Sequence, residues 1–224
     1  MNPLVLAIPL AYLAGSIPFG LIIARMHKIN IREHGSGNIG ATNVWRTLGK
    51  KAGLTCFVLD VLKGFVPTFL AGQLTGLIGS DTVSQTQAWL WLAVAAAAIL
   101  GHMFPVWLGF KGGKGVATGF GALLGIVPVL TWPALGALVV WIVVARISRF
   151  VSLASCLAAI SLPVWLVLML IVRHQNADQA AALFSADNLP WFVVVSLLAA
   201  FILIRHRSNI GRLLRGTENR IGQS

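Results

Sequence analysis

An all-α, polytopic membrane protein is predicted by three observations: a strongly apolar composition, six long apolar runs, and basic residues gathered after alternate runs. Of the 224 residues, 57% are hydrophobic and only 10% are charged, whereas a soluble domain carries about 25% charged residues. The runs lie at about 3–25, 53–79, 88–108, 115–146, 150–173 and 190–205. Most reach the roughly 20 helical residues needed to cross a hydrocarbon layer about 30 Å thick. None alternates polar with apolar residues, which excludes a β-barrel.

The first run follows Met1-Asn2-Pro3, which lacks the basic start of a signal peptide, and Arg25 and Lys28 come after it. It is therefore expected to remain as a transmembrane helix. Arg25, Lys28, Arg32, Arg46, Lys50 and Lys51 follow the first run, Lys111 and Lys114 the third, and Arg205, Arg207, Arg212, Arg215 and Arg220 the last. The excess of positive charge places these segments in the cytoplasm. Asp81, Asp178 and Asp187, against a lone Arg173, mark the outward loops. Arg146 and Arg149 must then lie on the same side as Lys111 and Lys114, with too few residues between for two full crossings. Two short helices, broken near Pro128 and Pro133, satisfy that parity. The count becomes about seven helices in a single domain spanning residues 1–224, with the N-terminus periplasmic and the C-terminus cytoplasmic.

Within the spans, Gly72 with Gly76, Gly115 with Gly119, and Gly121 with Gly125 offer close helix contacts. Trp89, Trp107, Trp165 and Trp191 are expected at the membrane interfaces. Asp60 and Lys63, one helical turn apart, are expected to pair as a structural clamp inside the second span.

A net charge of +11 raises nucleic acid as a partner, but the cations are scattered among short loops and not gathered on a soluble face. Anionic membrane lipids and phosphorylated substrates are expected instead. Cys56 and Cys156 stand alone in apolar stretches, and no carboxylate cluster or paired cysteine spacing suggests a metal or any other cofactor.

Three polar segments stand out against this background. The first, Glu33 to Arg46, reads EHGSGNIGATNVWR. Its glycines can turn backbone amides toward one point, while Ser36, Asn38, Thr42 and Asn43 add side-chain donors and Arg46 a guanidinium fork. The second runs from Gly101-His102-Met103-Phe104-Pro105 to Lys111-Gly112-Gly113-Lys114-Gly115-Val116-Ala117-Thr118. Gly112 and Gly113 flank their lysines with backbone that a phosphate can approach, and a following helix adds the positive end of its dipole. A nucleotide P-loop is rejected, because Leu108 stands where the motif requires glycine and Gly115 where it requires Ser or Thr. The third segment is the tail, where His206 and Asn209 share a helix face. There Glu218 is expected to orient a cation, while Arg207 and Arg212 suit an amphipathic helix lying on anionic lipid. Arg149 and Ser152, also on one face, are candidates to join a phosphate site.

Taken together, Gly15-Ser16-Ile17-Pro18-Phe19-Gly20, the Gly35–Val44 segment, the Gly101 and Lys111 motifs and the tail ending Gly216-Thr217-Glu218 resemble the bacterial membrane acyltransferases that acylate glycerol 3-phosphate from an acyl phosphate. The resemblance covers nearly the whole chain. It implies a seven-helix fold in the bacterial inner membrane, with three cytoplasmic motifs around one site. Carried over by position, Ser36, Arg46, Lys114, Ser152, His206 and Asn209 resemble residues that hold the two phosphates, and Glu218 matches the family's acidic residue. With Asn38, Lys111, Gly112 and Gly113 these form the expected binding set, and His206 and Glu218 the expected catalytic pair. The implied partners are acyl phosphate and glycerol 3-phosphate.

An acyl phosphate is a mixed anhydride with a good leaving group, so such an enzyme mainly positions the attacking hydroxyl and stabilises charge. None of the five histidines is followed five residues later by aspartate, so the His-Asp dyad of other glycerolipid acyltransferases is missing. Two proton acceptors remain: the departing phosphate, or His206. A phosphate-ester transporter is the alternative function. Its expected repeated halves and midplane polar sites are not visible in the sequence.

Overall fold

The computed structural model describes residues 2–80, 82–173 and 186–221. Asp81 and Asp178, expected in the outward loops, lie outside them. The described chain is helical, with no strand: α1 (Pro3–Gly15), α2 (Phe19–Met26), α3 (Ala41–Leu48), α4 (Lys50–Leu74), α5 (Gln85–Met103), α6 (Val116–Leu124), α7 (Thr131–Ser148), α8 (Val151–Arg173), α9 (Leu189–Arg205) and α10 (Arg207–Leu214). Short 3-10 turns occupy Ile31–Glu33 and Val106–Leu108.

Five segments are long and apolar enough to cross a membrane: Pro3–Met26, Lys50–Leu74, Gln85–Leu108, Thr131–Ser148 and Val151–Val172. A sixth is formed by α9 with α10, bent by 59° between them. The nine-residue α6 is the predicted short fourth helix, about 14 Å long at 1.5 Å per residue. Two sequence expectations need correction. The first span is two helices, because Pro18 has no N–H to continue the ladder and Ser16 instead bonds back to the Tyr12 carbonyl, Oγ to O 2.8 Å. The fourth apolar run breaks near Pro128 only. Pro133 sits in the first turn of α7, where its missing N–H has no intrahelical partner to lose, and α7 is long enough to span.

The described residues fall into two compact units, one within 1–71 and 93–125 and the other within 72–92 and 126–223. In the first unit, small residues set the helix contacts. A Cβ on Gly64 would collide with the Thr118 carbonyl of α6, and one on Gly121 with the Val61 carbonyl of α4. Gly125 also bears on α4 at Phe65 and Phe69. Gly15 and Gly101 do the same for α1 against α5, a pairing that the four-residue spacing rule does not flag.

Asp60 and Lys63 are buried in this unit and pair at 2.8 Å. Lys63 Nζ also donates to the Ile17 carbonyl at 2.8 Å, so the clamp secures the break between α1 and α2. His102 Nδ1 stands 3.7 Å from the same Asp60 oxygen. A core of Leu21, Ile23, Ala24, Ile31, Ile39, Val44 and Cys56 joins α2, the first 3-10 turn, α3 and α4.

In the second unit α7 packs along α8, and α9 also packs on α8. Gly136 admits the Trp165 ring and Gly72 the Trp91 ring. Trp141 donates Nε1 to Ser155 Oγ at 3.2 Å. Trp191 is 4% exposed and packs inside the unit, Trp165 is half-buried against Gly136, and Trp89 and Trp107 remain exposed. Gly76, expected in a helix contact, lies beyond the end of α4, where an added Cβ would meet nothing within 4 Å.

Candidate active site

In the first unit, Asn43 shapes the first glycine-rich loop. From the first turn of α3, its buried side chain shares Nδ2 among the carbonyls of Ile31 (3.2 Å), His34 (3.0 Å) and Asn38 (2.9 Å). Its Oδ1 accepts the Ser36 amide at 2.9 Å. Gly35 (φ 57°) and Gly37 (φ 67°) take the left-handed turns that this wrapping demands. The expectation that Asn43 offers donors to an anion is thereby corrected: its amide is consumed in building the loop. Asn38 Oδ1 accepts the Gly40 amide at 2.8 Å, which leads the chain into α3.

The second loop folds back on the end of α5. The Gly112 amide donates to Met103 O and the Gly113 amide to His102 O, each at 3.1 Å, satisfying carbonyls that the end of a helix leaves open. Cβ atoms here would strike His102 O and the His102 ring respectively. The two glycines were expected to face a phosphate with their amides. Instead those amides are engaged, and the glycines are explained by the close approach of the two backbones. Gly115 (φ 84°) then starts α6.

Between the loops lies a cavity of about 290 Å³ lined by Arg32, Ser36, Gly37, Asn38, Ile39, Lys111 and Gly112. Four expected binding residues, Ser36, Asn38, Lys111 and Gly112, thus meet around one space with no carboxylate in its wall. Arg32 Nη2 donates to the Lys111 carbonyl at 2.9 Å, binding one loop to the other. The Lys111 and Arg46 side chains have no hydrogen-bond or ion-pair partner among the described residues. Arg46, half-buried in the last turn of α3, and Lys114, half-buried before α6, do not line this cavity.

The second unit carries the other cluster, centred on Glu218. Its Oε1 accepts Ser152 Oγ at 2.7 Å and Asn209 Nδ2 at 2.6 Å, and Oε2 accepts Arg212 Nε at 2.7 Å. Burial raises the carboxyl pKa, but the bonds from Asn209, Ser152 and Arg212 and the charge of Arg212 outweigh it, holding Glu218 below the usual glutamate range. Both carboxylate oxygens are engaged by these three donors, and the cation that Glu218 orients is Arg212, which had been assigned to the lipid surface. Arg149 is also drawn into structure, because its Nη2 donates to Ile221 O at 3.2 Å and its carbonyl accepts the Ile221 amide at 2.7 Å.

His206 occupies the bend between α9 and α10 and is buried. Its Nδ1 lies 2.8 Å from Ile202 O. A carbonyl can only accept, so Nδ1 carries a proton and donates this bond. Arg32 and Arg212 were not singled out as site residues, since in sequence they are members of charge clusters. Asn43 was noticed for its residue type but assigned the wrong partner.

Comparison with known proteins identifies the family. The glycerol-3-phosphate acyltransferase family model matches residues 5–216. The glycerol-3-phosphate acyltransferase of Desulforamulus reducens is 46% identical over 95% of this chain and 92% of its own length. That of Geobacter sulfurreducens is 40% identical over 98% of both. Among solved structures, the chain is similar to PlsY (YgiH), an integral membrane glycerol 3-phosphate acyltransferase. In its glycerol 3-phosphate form that protein is 40% identical, with a TM-score of 0.79 over 98% of this chain and 96% of the other. In its lysophosphatidic acid form the values are 39% and 0.77, over 98% and 95%. Apolar spans, glycine-walled basic loops and these relatives lead to one conclusion: the chain belongs to the family of integral membrane glycerol-3-phosphate acyltransferases.

Proposed function

We propose that the protein transfers an acyl group from an acyl phosphate to the 1-hydroxyl of glycerol 3-phosphate. The products are lysophosphatidic acid and inorganic phosphate, made at the cytoplasmic face of a bacterial inner membrane by one catalytic domain. The observation that carries this reading is the carboxylate-free cavity with Arg32, Ser36, Asn38 and Lys111 in its wall, whose size and charge suit a small phosphate ester.

In the proposed reaction the hydroxyl oxygen attacks the acyl carbon, the bond from that carbon to the bridging phosphate oxygen breaks, and phosphate departs with the electron pair. Lys111, Lys114 and Arg46 offset the phosphate charge of donor and acceptor, and Ser36 and Asn38 add hydrogen bonds. The departing phosphate takes the hydroxyl proton. No covalent enzyme intermediate is required.

The test is a reconstitution. Purified protein given an acyl phosphate and glycerol 3-phosphate forms lysophosphatidic acid and inorganic phosphate in equal amounts. Passage of glycerol 3-phosphate across a vesicle membrane without product would overturn the reading in favour of transport.

A further inference from the structure

A second cavity of about 490 Å³ lies in the first unit, separate from the space around Ser36. Arg25, Lys28 and Arg32 supply its polar wall and Leu21, Ile29 and Leu108 its apolar one, with Asn30 at the edge and no carboxylate. Neither Arg25 nor Lys28 has a hydrogen-bond, ion-pair or ring partner for its side chain among the described residues. Cations at the end of a span ordinarily serve as topology anchors and complement the helix dipole. Such anchors need not converge on a shared space with an apolar wall.

The position also selects the ligand. The first candidate span ends at Met26, which puts Arg25 and Lys28 at its boundary, the depth at which lipid phosphates lie. Ile22 and Met26, four residues apart on α2, are exposed apolar side chains, Met26 at 78%, and share a face along which an acyl chain can run. Lys28 occupies a left-handed conformation (φ 58°) just past α2, a position where glycine or asparagine is the usual choice.

We propose that this cavity binds the phosphate headgroup of an anionic membrane lipid, with Arg25 and Lys28 against the phosphate and the chains along the Ile22–Met26 face. Arg32 lines both cavities and holds the Lys111 carbonyl, so a bound lipid shares a cation with the candidate phosphate site. The inference rests on no part of the acyl-transfer reading, and its test reads lipid and not turnover.

The full chain is placed in phosphatidylcholine bilayers containing spin-labelled phosphatidylglycerol, and the immobilised fraction is measured. The expected result is selective retention by the unaltered protein, with a fall of about tenfold or more in the relative association constant for R25Q/K28Q. K28Q alone, at an exposed position outside any helix, is expected to show a smaller fall and guards against misfolding of the double variant. R215Q, an exposed tail change, is expected to have no effect. Equal retention by all variants, or an equal fall in R215Q, would overturn the proposal. Displacement of the labelled lipid by free inorganic phosphate would also overturn it, by assigning the cavity to a soluble anion.

Discussion

Ser152 and Glu218, 66 residues apart in the chain, are joined by a 2.7 Å hydrogen bond from Oγ to Oε1. That bond ties the first turn of α8 to the tail, and through the same carboxylate to Asn209 and Arg212. The tail is thus built into the second unit through one acidic side chain, which is 7% exposed.

Replacing Glu218 with glutamine converts a carboxylate that accepts three donors into an amide that accepts at one oxygen only. The expected cost is about 1–3 kcal/mol and a loss of activity greater than that of R207Q. The folded pKa is depressed, so the stabilisation is present above the ordinary glutamate value and is lost as pH falls through the folded one. Melting temperatures of E218Q and the unaltered protein should therefore differ at neutral pH and converge under acid, as thermal denaturation in detergent can show.

Asn43→Ala leaves the Asn38 carbonyl and the Ser36 amide without their partner, while the Ile31 and His34 carbonyls keep backbone donors. A loss of about 1–3 kcal/mol per buried unsatisfied group is expected to disorder the loop before it unfolds the protein. Steady-state kinetics should show a raised KM for glycerol 3-phosphate. An unchanged KM would remove Asn43 from the account of the cavity.

Breaking the buried pair with Asp60→Ala leaves Lys63 uncompensated and should cost about 3–5 kcal/mol. The double change D60L/K63M removes both charges and is expected to be more stable than either single variant. Thermal denaturation of the three proteins decides whether the pair acts as a clamp.

His206→Gln separates two routes for the proton. With the departing phosphate as acceptor, turnover falls less than about tenfold while the KM for glycerol 3-phosphate rises. A loss of about 10²–10⁴-fold in turnover at unchanged binding would make Nε2 the general base.

Much of this architecture was legible in the sequence, because a bilayer makes apolar length and loop charge decisive. A break was expected between Lys114 and Arg146, and the helices are interrupted there between Leu124 and Thr131. The break at Pro18 was hidden because Ser16 and Pro18 interrupt a run whose mean character stays apolar. The types of site residue were legible, but their partners were not. Asn43 and the amides of Gly112 and Gly113 suit an anion when read alone, yet contacts five to twelve residues distant in the chain consume them. Glu218 was expected to orient a cation, while its bond to Ser152 depends on folding that no local spacing encodes.

The most direct measurement follows an acyl phosphate labelled with heavy oxygen at the atom bridging carbon and phosphorus, in a single turnover with glycerol 3-phosphate. The account predicts that the label leaves in inorganic phosphate, one molecule for each lysophosphatidic acid formed. Label retained in the acyl product, or phosphate released without lysophosphatidic acid, would contradict it.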